Sequence, residues 1–466
     1  MPPTPPAPPP PIATSAKIKA STLGYFALPT ITYGYMFCLV SLYFLKFATD
    51  ILLIAPAIMG VIFGISRIWD AISDPLVGYW SDRTNSRWGR RRPWIAVCAL
   101  PTALTFLMLF RPLSGMENTA LVVWVSIGII GFLSASTLLY VPHMALGAEL
   151  SDDYHERSKI FAARHAGWIG GYIIGIGGIA LLSAAATRSR ADVLDVAAGQ
   201  ALFVAPLAAI SLLLCAWRLK ERKDFANKGS RKPVKALLDV LKNRHVRPPL
   251  LAYFFDNIGF AFAGTLALYI AEYVLEAPLA APKFFLAFLI PSFAFTPIWL
   301  PLSRRFGKKN MWIFSMCLSA CAYGAMFFIG KGDENILILL GALAGLANSA
   351  GHVIGPSLLS DVVDYDEYKT GERKEGAYFA AWNFAWKTAN GITLMIIGII
   401  LSWVGFVPNV AQTVLVFYAL KVMFSIVPFF FYLFAAFIFR TYQLNETRHK
   451  ELQASLAVHR QDLDKT

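Results

Sequence analysis

Apolar residues come along this chain in twelve runs, near 23–47, 53–80, 94–111, 119–147, 160–186, 199–217, 249–275, 283–303, 311–330, 336–359, 376–402 and 410–439. Each is close to the roughly 20 residues that a helix needs to cross the hydrocarbon layer of a bilayer. Several runs contain Pro or Gly, which membrane helices tolerate because neighbouring groups re-satisfy the freed backbone. The pairs Gly60–Gly64, Gly171–Gly175 and Gly341–Gly345 have the spacing that lets two helices approach closely. The second run breaks the pattern. Arg67, Asp70 and Asp74 lie inside it at i, i+3 and i+7, a single stripe on a helix. Within a bilayer each of these charges costs a few kcal/mol and must face a partner or a watery cavity. The stripe is therefore the working centre that the rest of the chain has to explain.

Composition agrees with the runs. Of the 466 residues, 56% are hydrophobic and only 15% are charged, where a soluble domain has about a quarter charged. The formal net charge of +13 is spread in short basic clusters between apolar runs, the placement of membrane loops, so no nucleic-acid partner is expected. Cys38, Cys98, Cys215, Cys317 and Cys321 all fall within apolar runs and imply neither a disulfide framework nor a metal site. Residues 1–22 begin as a polyproline tail, expected to be solvated and disordered, and show no secretory signal. With the N-terminus inside, 32 of the 42 Lys and Arg residues fall in alternate, inner segments and five in outer ones, which predicts that both termini are cytoplasmic. Lys46 and Lys421, near run ends, are expected to snorkel; Arg67, Arg164 and Lys387 have less room to do so.

A repeat appears at a spacing of 218 residues. Arg87-Trp88-Gly89-Arg90-Arg91 recurs as Arg305-Phe306-Gly307-Lys308-Lys309, and Phe161-Ala162-Ala163 as Phe379-Ala380-Ala381. Two matches in one register point to a duplicated six-helix unit with a site between the copies near the membrane midplane. The expected organisation is a tail (1–22), a six-helix bundle (23–217), a cytoplasmic central loop (218–248), a second bundle (249–440) and a cytoplasmic tail (441–466). This is an all-α membrane protein with twelve transmembrane helices in two halves, the architecture of a major-facilitator transporter.

Two blocks carry a more specific likeness. Residues 67–78 (Arg-Ile-Trp-Asp-Ala-Ile-Ser-Asp-Pro-Leu-Val-Gly), with Ser81-Asp82-Arg83 and Arg87 to Pro93, closely resemble the glycoside–pentoside–hexuronide:cation symporter family. So does Ser360-Asp361-Val362-Val363-Asp364-Tyr365 through Arg373, followed by Glu375-Gly376 and Lys387, and Pro142, Ala145 and Leu146 are similar too. The resemblance implies that Asp70 and Asp74 hold the coupling cation, and that Lys387 belongs to the same network with Arg67 and Arg164 nearby. Two departures stand out. The first run holds no Asp or Glu, where the family's melibiose permease has a sugar-binding Asp, and Tyr140 stands in place of that permease's second one. Galactoside specificity does not carry over.

The residues also speak for themselves. Two carboxylates one turn apart can supply oxygens to a hard cation such as Na⁺, or share a proton because close like charges raise one affinity for it. Pro75 cannot donate to the carbonyl of Ala71, so that oxygen is a third candidate ligand between the two aspartates. The plain alternative is that Arg67 merely neutralises the pair. Lys387 in the eleventh run is expected to bridge the halves by pairing with Asp70 or Asp74 when the ion is absent; the alternative is a structural salt bridge. Candidates for the organic solute are Trp382, Asn383, Trp386 and Asn390, with Tyr140, His143, Asn348 and His352 from the fourth and tenth runs. Three cations against two acids favour an anionic sugar such as a uronide. Asp82, Arg83, Arg90 and Arg91 resemble the facilitator gating loop, and Asp361, Asp364 and Arg373 are the candidates for a matching latch on the other half.

No nucleophile elbow, zinc helix motif or phosphate loop is present, so neither an enzyme nor a cofactor is expected. The expected activity is symport of a sugar, glycoside or uronide with Na⁺ or H⁺ by a monomer in the inner membrane, its partners the solute and the lipid bilayer. The rivals are a lysolipid carrier on the same scaffold, since animal lysophosphatidylcholine symporters resemble the family, and a non-transporting membrane sensor.

Overall fold

The structure is a computed structural model that describes residues 18–113, 115–116, 118–151, 154–219, 221, 240, 242–370 and 375–444, and at Ala71, Asp82, Asn118, Ala148, Tyr154, His155, Arg157, Ser158, Leu300 and Glu375 the backbone alone. The polyproline stretch, most of the central loop, Arg373 and the C-terminal tail lie outside the described residues.

Among the described residues eleven helices are long and apolar enough to span a bilayer, and a bent pair supplies the twelfth. They are α1 (Ala20–Ile51), α2 (Pro56–Arg83), α3 (Arg92–Phe110), α4 (Asn118–Glu149), α5 (Tyr154–Ala186) and α6 (Arg190–Arg218) in the first half. In the second they are α7 (Arg247–Tyr273), α8 (Ala280–Ala294 with Thr296–Phe306), α9 (Lys308–Phe328), α10 (Glu334–Thr370), α11 (Glu375–Trp403) and α12 (Val414–Phe439). Each of the twelve apolar runs became one of these. The two pieces of α8 meet at 44°. Pro297 opens the second piece and Pro291 lies near the end of the first, so two backbone donors are missing at the bend.

Close helix contacts form where the small residues are. In the first half Gly171 faces α1 so tightly that a Cβ there would lie 1.9 Å from the Ile31 carbonyl oxygen. In the second, a Cβ at Gly345 would lie 2.0 Å from the Phe288 carbonyl oxygen on α8. Between halves the principal seam is α2 against α11, where a Cβ on Gly60 would meet the Met395 carbonyl oxygen at 2.8 Å. A second crossing brings α5 to α8, with His165 and Phe293 rings 5.9 Å apart.

The 218-residue repeat is visible in the backbone. Gly89 and Gly307 both have positive φ, 109° and 85°, and each is followed by the start of a helix. At Gly89 the conformation also brings Glu221 from the central segment onto the N-terminus of α3. The Glu221 carboxylate accepts from the backbone N–H groups of Arg90, Arg91 and Arg92 at 2.5, 2.8 and 2.7 Å. Three orphan donors and the positive end of a helix dipole are satisfied at once.

Candidate functional site

Helix α2 presents Asp70 and Asp74 one turn apart, near the middle of its length, toward α11 and α4. Arg67 Nη1 donates to Asp70 Oδ2 at 3.2 Å. Lys387 Nζ, from α11 in the other half, lies 2.5 Å from Asp74 Oδ2 and 3.9 Å from Asp70 Oδ2. Thr137 of α4 donates to the second oxygen, Asp74 Oδ1, at 2.8 Å. The antiparallel register of α2 and α11 sets this up. Gly60 faces Met395 and Gly398, Gly64 faces Met395, and Gly391 receives the stem of Arg67. One turn before Gly391, Lys387 then falls level with the aspartate pair.

Among the described residues, two buried polar atoms here have no partner: Asp70 Oδ1 and Arg67 Nε. Asp70 is 2% exposed, so its free oxygen is cut off from solvent as well as from donors. Unpaired buried carboxylate oxygens are costly to keep, and this one stands beside a second carboxylate and a threonine hydroxyl. The donor set suits a hard cation or a proton. Helix α2 continues unbroken through Pro75, which leaves the Ala71 carbonyl without its usual donor.

The other expected residues divide. Arg164 on α5 packs over the Tyr140 ring at 4.8 Å, and Tyr140 is exposed. Its Nε lies 3.4 Å from His143 Nδ1, while His143 Nε2 is 2.9 Å from the Phe26 carbonyl oxygen. Arg164 must donate to Nδ1, so Nε2 carries the hydrogen and the imidazole is neutral. His143 is buried and stacks on Phe26 at 4.2 Å, in the packing of α1 against α4. Trp382 likewise turns into the second half. It is buried and stacks on Tyr253 at 3.9 Å. Asn348 reaches the Tyr432 hydroxyl at 3.4 Å inside the same bundle. Asn383 and His352 are exposed, Trp386 stands 6.2 Å from Phe37 across the divide, and Asn390 donates to the Trp386 carbonyl at 2.9 Å. Tyr140, Asn383 and His352 are thus exposed and Trp386 meets the other half, whereas His143, Trp382 and Asn348 pack within one half.

At the end of the bundle bearing the arginine cluster, the described ion pairs stay within one half. Arg90 and Arg91 reach Glu149 at 2.6 and 3.4 Å, Arg91 donates to Ser81 at 2.6 Å, and Arg83 lies over the Tyr79 ring at 4.0 Å. Lys308 holds Asp361 at 2.6 Å. Asp364 also has an interaction partner, and Arg373 lies outside the described residues. Among the described ion pairs, those of Arg90 and Arg91 with Glu149 and of Lys308 with Asp361 each lie within a single half.

The opposite end is tied shut by residues that sequence reading missed. Two π-helical turns carry α1 beyond Phe47 to Ile51, so the first helix does contain an acid, Asp50. Lys46 does not snorkel. It is 7% exposed and pairs with Asp50 on its own helix and with Glu272 on α7, the latter at 2.8 Å. Tyr273 donates to Asp50 at 2.6 Å, Thr49 and Tyr269 share a hydrogen bond of 2.9 Å, and Asn409 Nδ2 reaches the Asp50 carbonyl at 2.7 Å. The i, i+4 spacing of Lys46 and Asp50 was the available signal.

The sequence profile of the family described as MFS/sugar transport protein matches residues 25–446. The chain belongs to this family. It is a membrane transporter of the glycoside–pentoside–hexuronide:cation symporter type, not an enzyme, and the resemblance read from the α2 motif holds. The transporter is 27% identical over 437 residues to an isoprimeverose transporter of Lactiplantibacillus pentosus, covering 92% of this chain and 89% of that protein. It is 23% identical over 433 residues to a glucuronide carrier protein homolog of Escherichia coli, covering 92% and 94%. Among solved structures it is similar to a D-xylose-proton symporter, with a TM-score of 0.66, 15% identity and coverage of 91% and 97%. At that identity the structural likeness speaks for the major-facilitator fold alone.

Proposed function

We propose that this transporter couples the downhill entry of a cation, Na⁺ or H⁺, to uptake of a sugar, glycoside or uronide. The observation that carries the reading is the placement of Lys387, on one half, against the Asp70–Asp74 pair on the other. An ammonium group occupies the position a mobile cation needs, so ion and lysine compete for the same oxygens. Arrival of the ion frees Lys387 and loosens the seam between α2 and α11; departure restores it. A cation with different affinity for the two conformations thereby biases one of them.

Charge supports an anionic solute. Arg67 and Lys387 are matched by Asp70 and Asp74, whereas the described partners of Arg164 are an aromatic face and a neutral imidazole. Named relatives include the glucuronide carrier homolog and a putative sulfoquinovose importer of Salmonella typhimurium, 26% identical over 391 residues and covering 81% of this chain and 80% of that protein. The positive-inside distribution of Lys and Arg supports the arginine-cluster end, and both termini, on the cytoplasmic side of an inner membrane. The passage is then shut outward by the Lys46 network. The test is uptake by proteoliposomes of methyl β-glucuronide, methyl β-glucoside and a lysophospholipid, each under an imposed Na⁺ or pH gradient. Accumulation of the glucuronide that collapses with one gradient, and is lost in Asp70→Asn and Asp74→Asn, supports the reading. Gradient-independent equilibration, or lysolipid uptake alone, refutes it.

A further inference from the structure

Asp256 stands apart from the charged cluster on α2 and α11. It is the tenth residue of α7, about 13 Å along a helix that rises about 1.5 Å per residue, and so lies within the membrane-spanning helix and not in its first turn. The residue is 8% exposed. Among the described residues no cation faces it and no hydrogen bond reaches it. The titratable groups around it are three phenols: Tyr253 on its own helix, Tyr323 on α9 and Tyr432 on α12. Helix α10 presents Gly351, where a Cβ would stand 3.8 Å from Asp256 Oδ2 and 3.4 Å from Trp312 Nε1.

Among the described residues an ionised carboxylate here has no counter-ion and little water, so the neutral acid is the form the surroundings favour. For packing alone an amide of the same shape would serve as well. What a carboxyl adds is a proton that it can give up, and an ionisable group inside a span is a functional candidate for that reason. A metal ion is the weaker occupant: among the described residues no group of three or more His, Cys, Asp or Glu side chains comes together. The surroundings are also mechanically tied to the moving parts. Tyr253, one turn before Asp256, stacks on Trp382 at 3.9 Å, and Trp382 rides on the helix that carries Lys387.

We propose that Asp256 is a second proton-binding site of this carrier, separate from the α2 pair: it holds a proton in the conformation described here and exchanges it with water when α11 shifts. In that step the acid O–H bond breaks and the proton passes to water on the side then open, and the carboxylate takes another from water on the opposite side in the other half of the cycle. Proton occupancy stands on the surroundings of Asp256 alone; the exchange rests on the transport reading.

The test is infrared titration of the reconstituted protein in light and heavy water between about pH 5 and pH 9, the range above an ordinary aspartate. The wild type is expected to show a protonated-carboxyl C=O band that persists at neutral pH and titrates within this range. The band is expected to remain in Asp70→Asn and to vanish in Asp256→Asn. In Gly351→Ala, which keeps the carboxyl and crowds a methyl against it, the titration midpoint is expected to rise. A second readout is proton influx accompanying methyl β-glucuronide, recorded with a pH electrode, with one proton fewer per solute in Asp256→Asn. Wild-type and Asp256→Asn spectra that coincide, or a band that never titrates, overturn the proposal, and so does an unchanged proton-to-solute ratio. Wild type that fails to move the glucuronide at all counts against the transport reading, while the infrared arm still decides Asp256. Should Asp256→Asn fail to fold, the direction of the Gly351→Ala shift gives the decision.

Discussion

Gly391 and Arg67 touch across the two halves so closely that a Cβ on Gly391 would lie 1.9 Å from Arg67 Cγ and 2.6 Å from its Cβ. Those atoms are at the root of the side chain, where bond rotation gives little relief. Gly391→Ala is therefore expected to push α11 off α2, separate Lys387 from Asp74, and lower solute counterflow at least about tenfold. The wild-type rate in Gly391→Ala would contradict the register described for this seam. Gly376, which has no neighbour within 4 Å of an added Cβ, is the control position, and its substitution by Ala should be neutral.

The Lys387–Asp74 pair is half-buried and short. Lys387→Ala leaves Asp74 without its cation, and a broken charge-assisted hydrogen bond of this kind costs about 2 kcal/mol. Removing both groups in Lys387→Ala/Asp74→Asn is expected to recover most of that loss. Thermal unfolding of the four proteins in the double-mutant cycle measures the coupling. Additive single effects would mean that the two groups do not stabilise one another.

Lys46, Asp50 and Glu272 hold the closed end. Substituting Lys46 by Met leaves two carboxylates facing each other without their ammonium and is expected to favour the conformation open at that end. A cysteine placed at Asn409 in a cysteine-free background should then react several-fold faster with a membrane-impermeant maleimide. An unchanged labelling rate would show that packing, and not the ion triad, keeps this end shut.

Glu221→Gln keeps the shape of the cap on α3 and removes its charge. Charge-assisted bonds to three backbone N–H groups at a helix N-terminus predict a loss of about 1–2 kcal/mol. A lower Tm with counterflow largely retained is the expected result; an unchanged Tm would assign no stabilising role to the cap.

Much of the fold could be read from residue order, for a simple reason. Lipid is an apolar solvent of fixed thickness, so each crossing had to appear as a run of suitable length, and each of the twelve did. Gly89 and Gly307 could be matched because a positive φ before a helix leaves few alternatives to glycine. The aspartate stripe was legible because charge inside such a run has no cheap explanation. What could not be read is which way a residue faces once it is inside. Lys46, taken for a snorkelling residue, turns inward because Asp50 and Glu272 offer more than the interface does. Trp382 and His143 suited a solute site by type, yet Tyr253 and Phe26 claim their ring faces. Hydropathy separates water from everything else; it does not tell lipid from protein, or protein from cavity.

A lysine that takes the ion's place is a cation the carrier can never lose. With Arg67 and Lys387 set against Asp70 and Asp74, the four charges of this seam sum to zero when the ion is absent. On the proposed reading a full cycle then moves one positive charge with a neutral glycoside and none with a uronide, so a polarised membrane would drive accumulation of the first and leave the second to the ion gradient alone.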